Sequence, residues 1–386
     1  MSDDLRDVAV VGGGPAGLVA ALLARRHGAS VTLIAPNTPP RDERTVAMLG
    51  ASVEILQETG IWESVEAKSA PLRTMRIVDA TRRLIRAPLV EFHAHEVGRE
   101  AFGYNIPNAV LIAALDEAIE QAGIERVTGF ASEILPSEDS VRVVTTDGAE
   151  VRAKLLGAAD GRRSKARDAA GLAVRSWSYP QAALVANIAH SRPHDDVSTE
   201  FHTETGPFTI VPMPGLRSAI VCVESPAEAE RLSKLDDEAL AAEFERRSRS
   251  IVGKITIAGN RQVFPLSGQT ARHFAARRIA LIGEAAHVFP PIGAQGLNLG
   301  LRDAAAFAGV VRDHRADPGS AEAISAYDRA RIGDVLSRTT AVDALNRTLL
   351  TDFLPVQALR GVGLYAIDRL PKLKRLVMRQ GLTPHL

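Results

Sequence analysis

Residues 8–34 restrict the fold more than any other stretch: VAVV, then GGGPAG, then LVAALLARRHG, then VTLI. The two short apolar runs read as buried strands, the glycines as a tight turn and the leucine- and alanine-rich run as a helix. Strand, helix and parallel strand make a βαβ unit. Gly12, Gly14 and Gly17 form a GxGxxG directly after the strand. Such glycines allow the tight turn, the close approach of a pyrophosphate and helix–strand packing, while the helix start offers unpaired amides and positive partial charge. A glycine-rich turn without a ligand is the bland reading, and the βαβ context counts against it. The pattern normally closes with an acid on the second strand, for ribose hydroxyls. Here that position is Ala35, which leaves Asn37 and Glu43 as nearby candidates.

At 386 residues the chain exceeds the single-core limit of about 250–300, so at least two packed units are expected. Val46, Leu49, Val53 and Leu56 have helical spacing, with Gly60 closing that helix. Residues 72–97 read as arginine-rich strands. Asn108 is a good N-cap for a helix with Leu111, Leu115, Ala118 and Ala122 as its buried stripe and Gly123 beyond it. Residues 131–159 alternate on either side of Asp147-Gly148, a hairpin signal. Residues 176–266 are strand-rich (VSTEFHT, PFTIVPM, SAIVCVE) with a helix near 237–249, and at Ile279 a parallel-type strand, IALIG, returns before a long alanine-rich helix. The expected class is α/β (α+β). A discontinuous Rossmann-like domain (1–71 plus 98–175 plus 267–320) receives an inserted, mainly antiparallel substrate domain (72–97 plus 176–266), and residues 321–386 form C-terminal helices.

Two further stretches carry site signals. In LLGAADGRRSKAR, Asp160-Gly161 ends a strand, with Ser164 and Arg167 following; the carboxylate suits a sugar hydroxyl, and an ordinary Asp-Gly turn with a capping serine is equally plausible. In GEAAHVFPPIGAQGLNLGLRDA, Glu284 sits at a strand end where it can hold a polyol hydroxyl. Pro290, Pro291 and Gly293 stiffen the loop before a helix that starts at Gly296 and Asn298. The positive end of that helix suits the charge that a reduced flavin carries on one edge, worth roughly 0.3–1 kcal/mol when exposed. The first turn would take a pyrophosphate, the last a redox ring.

Composition excludes several classes. Lysine plus arginine and aspartate plus glutamate both number 46, with no long block of one sign, so nothing favours nucleic acid. The single cysteine, Cys222, excludes an internal disulfide and dithiol redox chemistry. No GxSxG elbow or GxxxxGK[ST] loop supports nucleophilic hydrolysis or phosphate transfer. An acidic start that runs straight into a strand, without a membrane-length apolar run, gives the expectation of a cytoplasmic protein.

The three site stretches, in this order and at these spacings, resemble the FAD-dependent aromatic hydroxylases of the para-hydroxybenzoate hydroxylase fold. HVFPPIGAQGLNLGLRDA, FGYNIPNAVL and VFPLS are most similar to the ubiquinone-biosynthesis hydroxylases. The resemblance spans nearly the whole chain. It implies a flavin monooxygenase with bound FAD, transient NADH or NADPH, and O2 activated as a flavin hydroperoxide. The implied substrate is a phenolic ring, such as a polyprenylated quinone precursor. It also implies that Gly12, Gly14, Pro15, Ala16 and Gly17 face the pyrophosphate and that Arg44 lies along the FAD. Asp160 with Gly161 and Gly283 with Glu284 then meet sugar or ribityl hydroxyls, while Pro291, Gly293, Gly296, Leu297 and Asn298 border the isoalloxazine. Two positions depart from the pattern: Ala35 replaces the ribose acid, and Glu284 replaces an aspartate. No catalytic base stands out; Pro291, Gly293 and His287 are the flavin-loop candidates, with His287 expected to satisfy the loop's own carbonyls.

Other features have blander readings. His93 and His95 with Glu96 resemble part of a metal site but lack further ligands, so no metal is expected. Arg73, Arg76, Arg82, Arg83 and Arg86 read as a solvated or domain-facing surface. LPKLKRLVMRQG, with Lys372, Lys374, Arg375 and Arg379, is either a helix packed on the FAD domain or an amphipathic helix that seeks a membrane surface or a biosynthetic complex. An FAD-dependent reductase or dehydrogenase on the same scaffold, and a non-catalytic FAD-binding member of such a complex, are the competing functions.

Overall fold

The computed structural model describes residues 5–36, 43–81, 87–290 and 295–350, with side chains to 337, together with residues 370, 374, 375 and 378. The first strand (Arg6–Val11) pairs in parallel with Val31–Ile34 on one side and Glu150–Ala158 on the other. Ile279–Leu281 adds in parallel beyond Glu150–Ala158, and Glu125–Val127 beyond Val31–Ile34. Strands Ala131–Pro136 and Val141–Thr145 extend this eight-stranded sheet as an antiparallel meander. Its central strands are buried on both faces, as a parallel sheet under helices requires. Helices Pro15–Arg26 and Gln295–Asp313 pack on it, and Ala321–Leu350 packs on Gln295–Asp313.

A nine-stranded sheet runs in the order His287–Val288, Gln262–Ala271, Val174–His190, Arg217–Glu224, Pro207–Met213, Val197–His202, Thr74–Asp79, Val90–His93, with Ile255–Ile257 beside Val174–His190. All its pairings are antiparallel except Val197–His202 with Thr74–Asp79. One face buries Phe201, Phe208, Ile210 and Ile220 under Leu232, Leu240 and Phe244 of helices Pro226–Ser233 and Asp237–Arg247. The other face turns toward a three-stranded sheet of Thr45–Leu49, Gly103–Pro107 and Ala70–Pro71. There Asn105 Nδ2 donates to the Pro212 carbonyl at 2.8 Å, and Asn187 Nδ2 to that of Glu43 at 2.8 Å.

Several local expectations change. Val46 and Leu49 lie on the strand Thr45–Leu49, and the helix is Gly50–Thr59, closed by Gly60 at φ 84°. The helical spacing there is coincidental, because the pairing with Gly103–Pro107 decides the state. Asn108 begins its helix but makes no side-chain cap; Pro107 holds the cap position. Of the expected stripe, Leu111 and Leu115 are buried, joined by Ile112 and Ile119, while Ala118 and Ala122 are only partly covered. The hairpin at Asp147-Gly148 forms, with Gly148 at φ 81°. His93 ends a strand but His95 sits in the following 3-10 turn, so the two do not alternate on one strand; their rings stack at 5.3 Å. Arg73 pairs with Glu100 and Asp196, and Arg76 with Glu91, at the surface; Arg82, Arg83 and Arg86 lie outside the described residues. From the C-terminal run, Lys374 pairs with Glu96 at 2.8 Å and Met378 buries against Ala94 and Phe102, so these residues dock beside the edge of the nine-stranded sheet. Lys372 and Arg379 are outside the described residues.

Phe244, with 0% exposure, carries much of the core under the helices. Phe244→Ala should cost about 3–5 kcal/mol, read as a drop in the urea midpoint, whereas Leu216→Ala, on the surface, should stay within about 0.5 kcal/mol.

Candidate functional site

The three glycine-containing turns of the sequence meet in space. At Gly12, φ is 117° and an added Cβ would lie 2.1 Å from the Ala159 carbonyl oxygen, so the first turn presses against the strand end that leads into Asp160. At Gly17 an added Cβ would lie 2.2 Å from the Gly12 oxygen. Both glycines are therefore compulsory for packing. Gly14 differs: nothing lies within 4 Å of its added Cβ. It precedes Pro15 at the helix start, and no side-chain hydrogen bond caps that end. This is the cradle an anionic pyrophosphate fits.

The Asp160 turn is tied to the last turn by Arg167, buried, whose Nη1 donates to the carbonyls of Arg162 and Ala285, each at 3.1 Å. Asp160 itself accepts from Ser164 Oγ at 2.6 Å and from the Ala166 amide at 3.1 Å, while Ser164 caps the short helix Lys165–Ala169. The carboxylate thus organises its own turn, as the capping alternative required, and remains half-exposed beside Gly161. Gly283, at φ 61°, completes the convergence. An added Cβ on Gly300 would lie 3.2 Å from Gly283 Cα and 3.3 Å from Ala16 Cβ, so the first and last helices and the last turn are in contact.

Glu284 is exposed in the 3-10 turn Gly283–Ala285. Helix Gln295–Asp313 begins as expected, with Gly296 open to space, Leu297 half-buried, and Asn298 directed inward. Asn298 Nδ2 donates to the Ala47 carbonyl at 2.7 Å and its Oδ1 accepts the Leu49 amide at 2.9 Å, which pins the helix start to Thr45–Leu49. Pro291 and Gly293 lie outside the described residues. Arg44 is exposed and stacks over the Phe264 ring at 5.5 Å, bridging to the nine-stranded sheet. Ala35 is buried, and an added Cβ on Gly13 would lie 3.0 Å from its Cβ, so the usual place of a ribose acid is filled by packing. Of the substitutes, Glu43 accepts the Asn260 amide at 2.9 Å, and Asn37 is outside the described residues.

Beneath the last turn lies a group that the sequence reading missed. Asp303, with 0% exposure, accepts from the Gly283 amide at 2.8 Å, His287 Nε2 at 2.7 Å and Arg331 Nε at 2.6 Å. Arg331 also meets Asp334 at 2.9 Å, and Arg302 meets Asp334 at 3.0 Å. Because a carboxylate only accepts, Nε2 carries a proton, and the ring does not serve the loop's carbonyls as expected. Burial raises the Asp303 pKa, but His287 and Arg331 outweigh it and hold the carboxyl below its ordinary value. The signal was present: Leu299, Asp303 and Phe307 form one i, i+4, i+8 stripe, as do Tyr327, Arg331 and Val335, and each places a charge at a core position.

On the face of the nine-stranded sheet away from its helices, four directly opposed residues form a half-buried row across four strands: Glu200, Thr209, Val221 and Val185. Val211 lies beside it, two residues along from Thr209. Among the described residues, no group of three His, Cys, Asp or Glu is placed to hold a metal ion, and no helix is long and apolar enough to cross a membrane.

Two outcomes follow for the turns. Gly14→Val should leave apoprotein melting unchanged while weakening FAD binding by at least about tenfold, or ~1.4 kcal/mol; Gly12→Ala should destabilise the apoprotein itself. Asp303→Asn should cost about 3–5 kcal/mol in urea unfolding at neutral pH. A depressed folded pKa contributes stability that is present above the unfolded value of about 3.9 and is lost as pH falls through the folded one. The gap between native and variant should therefore close only in strong acid.

Comparison with known proteins agrees with this geometry. A family described as FAD binding domain matches residues 6–335. The ubiquinone hydroxylase UbiL of Rhodospirillum rubrum is 33% identical, covering 99% of this chain and 90% of that one. The 3-demethoxyubiquinol 3-hydroxylase of Escherichia coli is 29% identical over 99% and 100%. In fold, the p-nitrophenol 4-monooxygenase PnpA of Pseudomonas putida DLL-E4 superposes with a TM-score of 0.80 at 18% identity over 99% of both chains. The chain belongs to the FAD-binding-domain family of FAD-dependent aromatic hydroxylases, within the group that holds the ubiquinone hydroxylases.

Proposed function

We propose that this hydroxylase acts on an uncharged phenolic ring with an apolar substituent, a polyprenylated ubiquinone precursor. The observation that carries the reading is the match to UbiL over essentially the full length of both chains. The half-buried row supports it: Val221, Val185 and neighbouring Val211 offer an apolar wall, and Thr209 a hydroxyl, without a cation in the row that would select a carboxylated ring. When bound, FAD supplies the two-electron chemistry, accepting from NADH or NADPH and activating O2 for transfer of one oxygen atom.

The protein's share is placement. Gly12, Gly14, Pro15, Ala16 and Gly17 hold the pyrophosphate; Asp160, Gly161, Gly283 and Glu284 meet the sugar and ribityl hydroxyls; Gly296, Leu297 and Asn298, with Pro291 and Gly293, border the ring; Arg44 lies along the cofactor. The open space at Gly14 and Gly296 and the exposure of Glu284 support these roles. The division into a discontinuous FAD unit, an inserted substrate unit (72–97 plus 176–266) and C-terminal helices belongs to the same proposal. Membership of Thr74–Asp79 and Val90–His93 in the nine-stranded sheet supports it, although Val174–His190 and Gln262–Ala271 run through its borders. A lipid precursor resides in a membrane, so peripheral association with a bilayer surface is included.

Incubation of FAD-loaded protein with NADH or NADPH, 18O2 and 2-prenylphenol should yield a ring-hydroxylated product with one labelled oxygen atom. Nicotinamide oxidation that yields only hydrogen peroxide across a series of phenols of increasing tail length would exclude the reading.

A further inference from the structure

The row on the open sheet face ends in a pair of titratable side chains that no role yet uses. Residues of Val197–His202 alternate between faces: Thr199 and Phe201 point to the helices, with Phe201 in their core, while Glu200 and His202 point to the opposite face. His202 Nε2 lies 2.6 Å from Glu200 Oε1. The imidazole is 4% exposed, and its Nδ1 is buried with no hydrogen-bond partner among the described residues. An unpartnered ring nitrogen away from water costs free energy on the order of 1–3 kcal/mol. That cost is out of place in a group whose only task is to decorate a strand.

Glu200 stands directly opposite Thr209, and Thr209 opposite Val221. The carboxylate is therefore at one end of a stripe that runs from charged to hydroxylic to apolar. A phenol with an apolar tail has the same polarity along its length. This face also meets the FAD-binding unit, through Asn187 with Glu43, Asn105 with Pro212 and Arg44 over Phe264.

We propose that Glu200, backed by His202, is the general base of the hydroxylation: it receives the phenolic proton while Thr209 orients the hydroxyl and Val221 and Val185 hold the apolar side. This rests on the phenol reading given above. In the step the phenolic O–H bond breaks, the proton passes to the Glu200–His202 pair, and the electron pair stays on oxygen, where it feeds the ring carbon under attack. No redox change occurs in this transfer. The paired imidazole fixes the carboxylate rotamer. The other titratable groups about the pair are few. Asp79, opposite His202 on the neighbouring strand, is occupied with the amides of Thr81 and Ala87. Glu204 is exposed in the turn that follows, and Pro207–Met213 contributes only Pro207 and Thr209 opposite the pair.

The test compares native protein with Glu200→Gln, Glu200→Asp and His202→Asn, using 2-prenylphenol and 18O2. Melting temperature, FAD content and calorimetric binding of 2-prenylphenol should be unchanged in Glu200→Gln, which shows an intact site. Its kcat should fall by about 10²–10⁴ and Glu200→Asp should recover part of the loss. For the native enzyme kcat/KM should rise with pH and then level. In Glu200→Gln that limb should vanish, and the rate should climb instead toward the phenol's own ionisation near pH of about 10, because a phenolate needs no base. His202→Asn should shift the native limb. Native-like kcat and pH profile in Glu200→Gln, or a loss that is the same at every pH, overturns the proposal while native labelling leaves the phenol reading standing. Failure of the native enzyme to label any phenol overturns both.

Discussion

A carboxylate shut away from water holds the site together. Asp303 accepts from the Gly283 amide, the His287 ring and the Arg331 guanidinium, and those donors come from the last glycine turn, the short strand after it and the C-terminal helix. Burying a lone carboxylate costs several kcal/mol, and the cost is offset only when every partner is in place. The consequence is geometric more than stabilising. The turn that presents Glu284 cannot shift without unpairing a charge in a dry environment, so the helix Ala321–Leu350, remote in sequence, fixes the position of that turn.

That constraint explains why one chain has two glycine-rich helix starts. The helix that begins at Pro15 and the helix that begins at Gln295 meet near their starts, where Ala16, Gly283 and Gly300 approach one another. An added Cβ at Gly300 would crowd the Gly283 turn and Ala16, at 3.2 and 3.3 Å, so one of them would have to give by a few tenths of an ångström. FAD carries an anionic pyrophosphate at its middle and, when reduced, a negative charge on its ring. Two helix starts set close together suit such a pattern of negative charge.

What the sequence revealed was whatever is local in cause. The βαβ unit, the Asp147-Gly148 hairpin and the helix start near Gly296 follow from residues adjacent in the chain, and each forms where expected. Long-range pairing was hidden. Val46 and Leu49 mimic a helix until Gly103–Pro107 claims them as a strand, and the parallel pairing of Val197–His202 with Thr74–Asp79 joins segments more than a hundred residues apart. The role of Asp303 needed the position of Arg331, although a charge on each buried stripe was a readable warning. The Glu200 row is further removed still, because it depends on the registers of four strands at once, and a slip of one residue would turn it to the other face.

The nine-stranded sheet is built asymmetrically, and the asymmetry matches the chemistry. Its helix-covered face spends large aromatics, Phe201, Phe208 and Phe244, on a closed core. Its other face carries smaller side chains beside the row, Ala183, Val185, Ala219 and Val221, with Phe264 at its edge under Arg44, and leaves part of them uncovered. Half-exposed valines are unremarkable singly, but a directly opposed row that ends in a half-buried carboxylate paired with a buried imidazole is a surface shaped for something amphiphilic. Under the proposed role of Glu200, with the cofactor bringing the oxygen chemistry, the protein needs only to lay a ring against this face at a fixed distance and to take up one proton. Fixing that distance requires the nine-stranded sheet to be joined firmly to the rest of the chain. Hydrogen bonds from Asn105 and Asn187 to backbone carbonyls, and the stacking of Arg44 on Phe264, supply directional links where bare apolar packing would allow sliding.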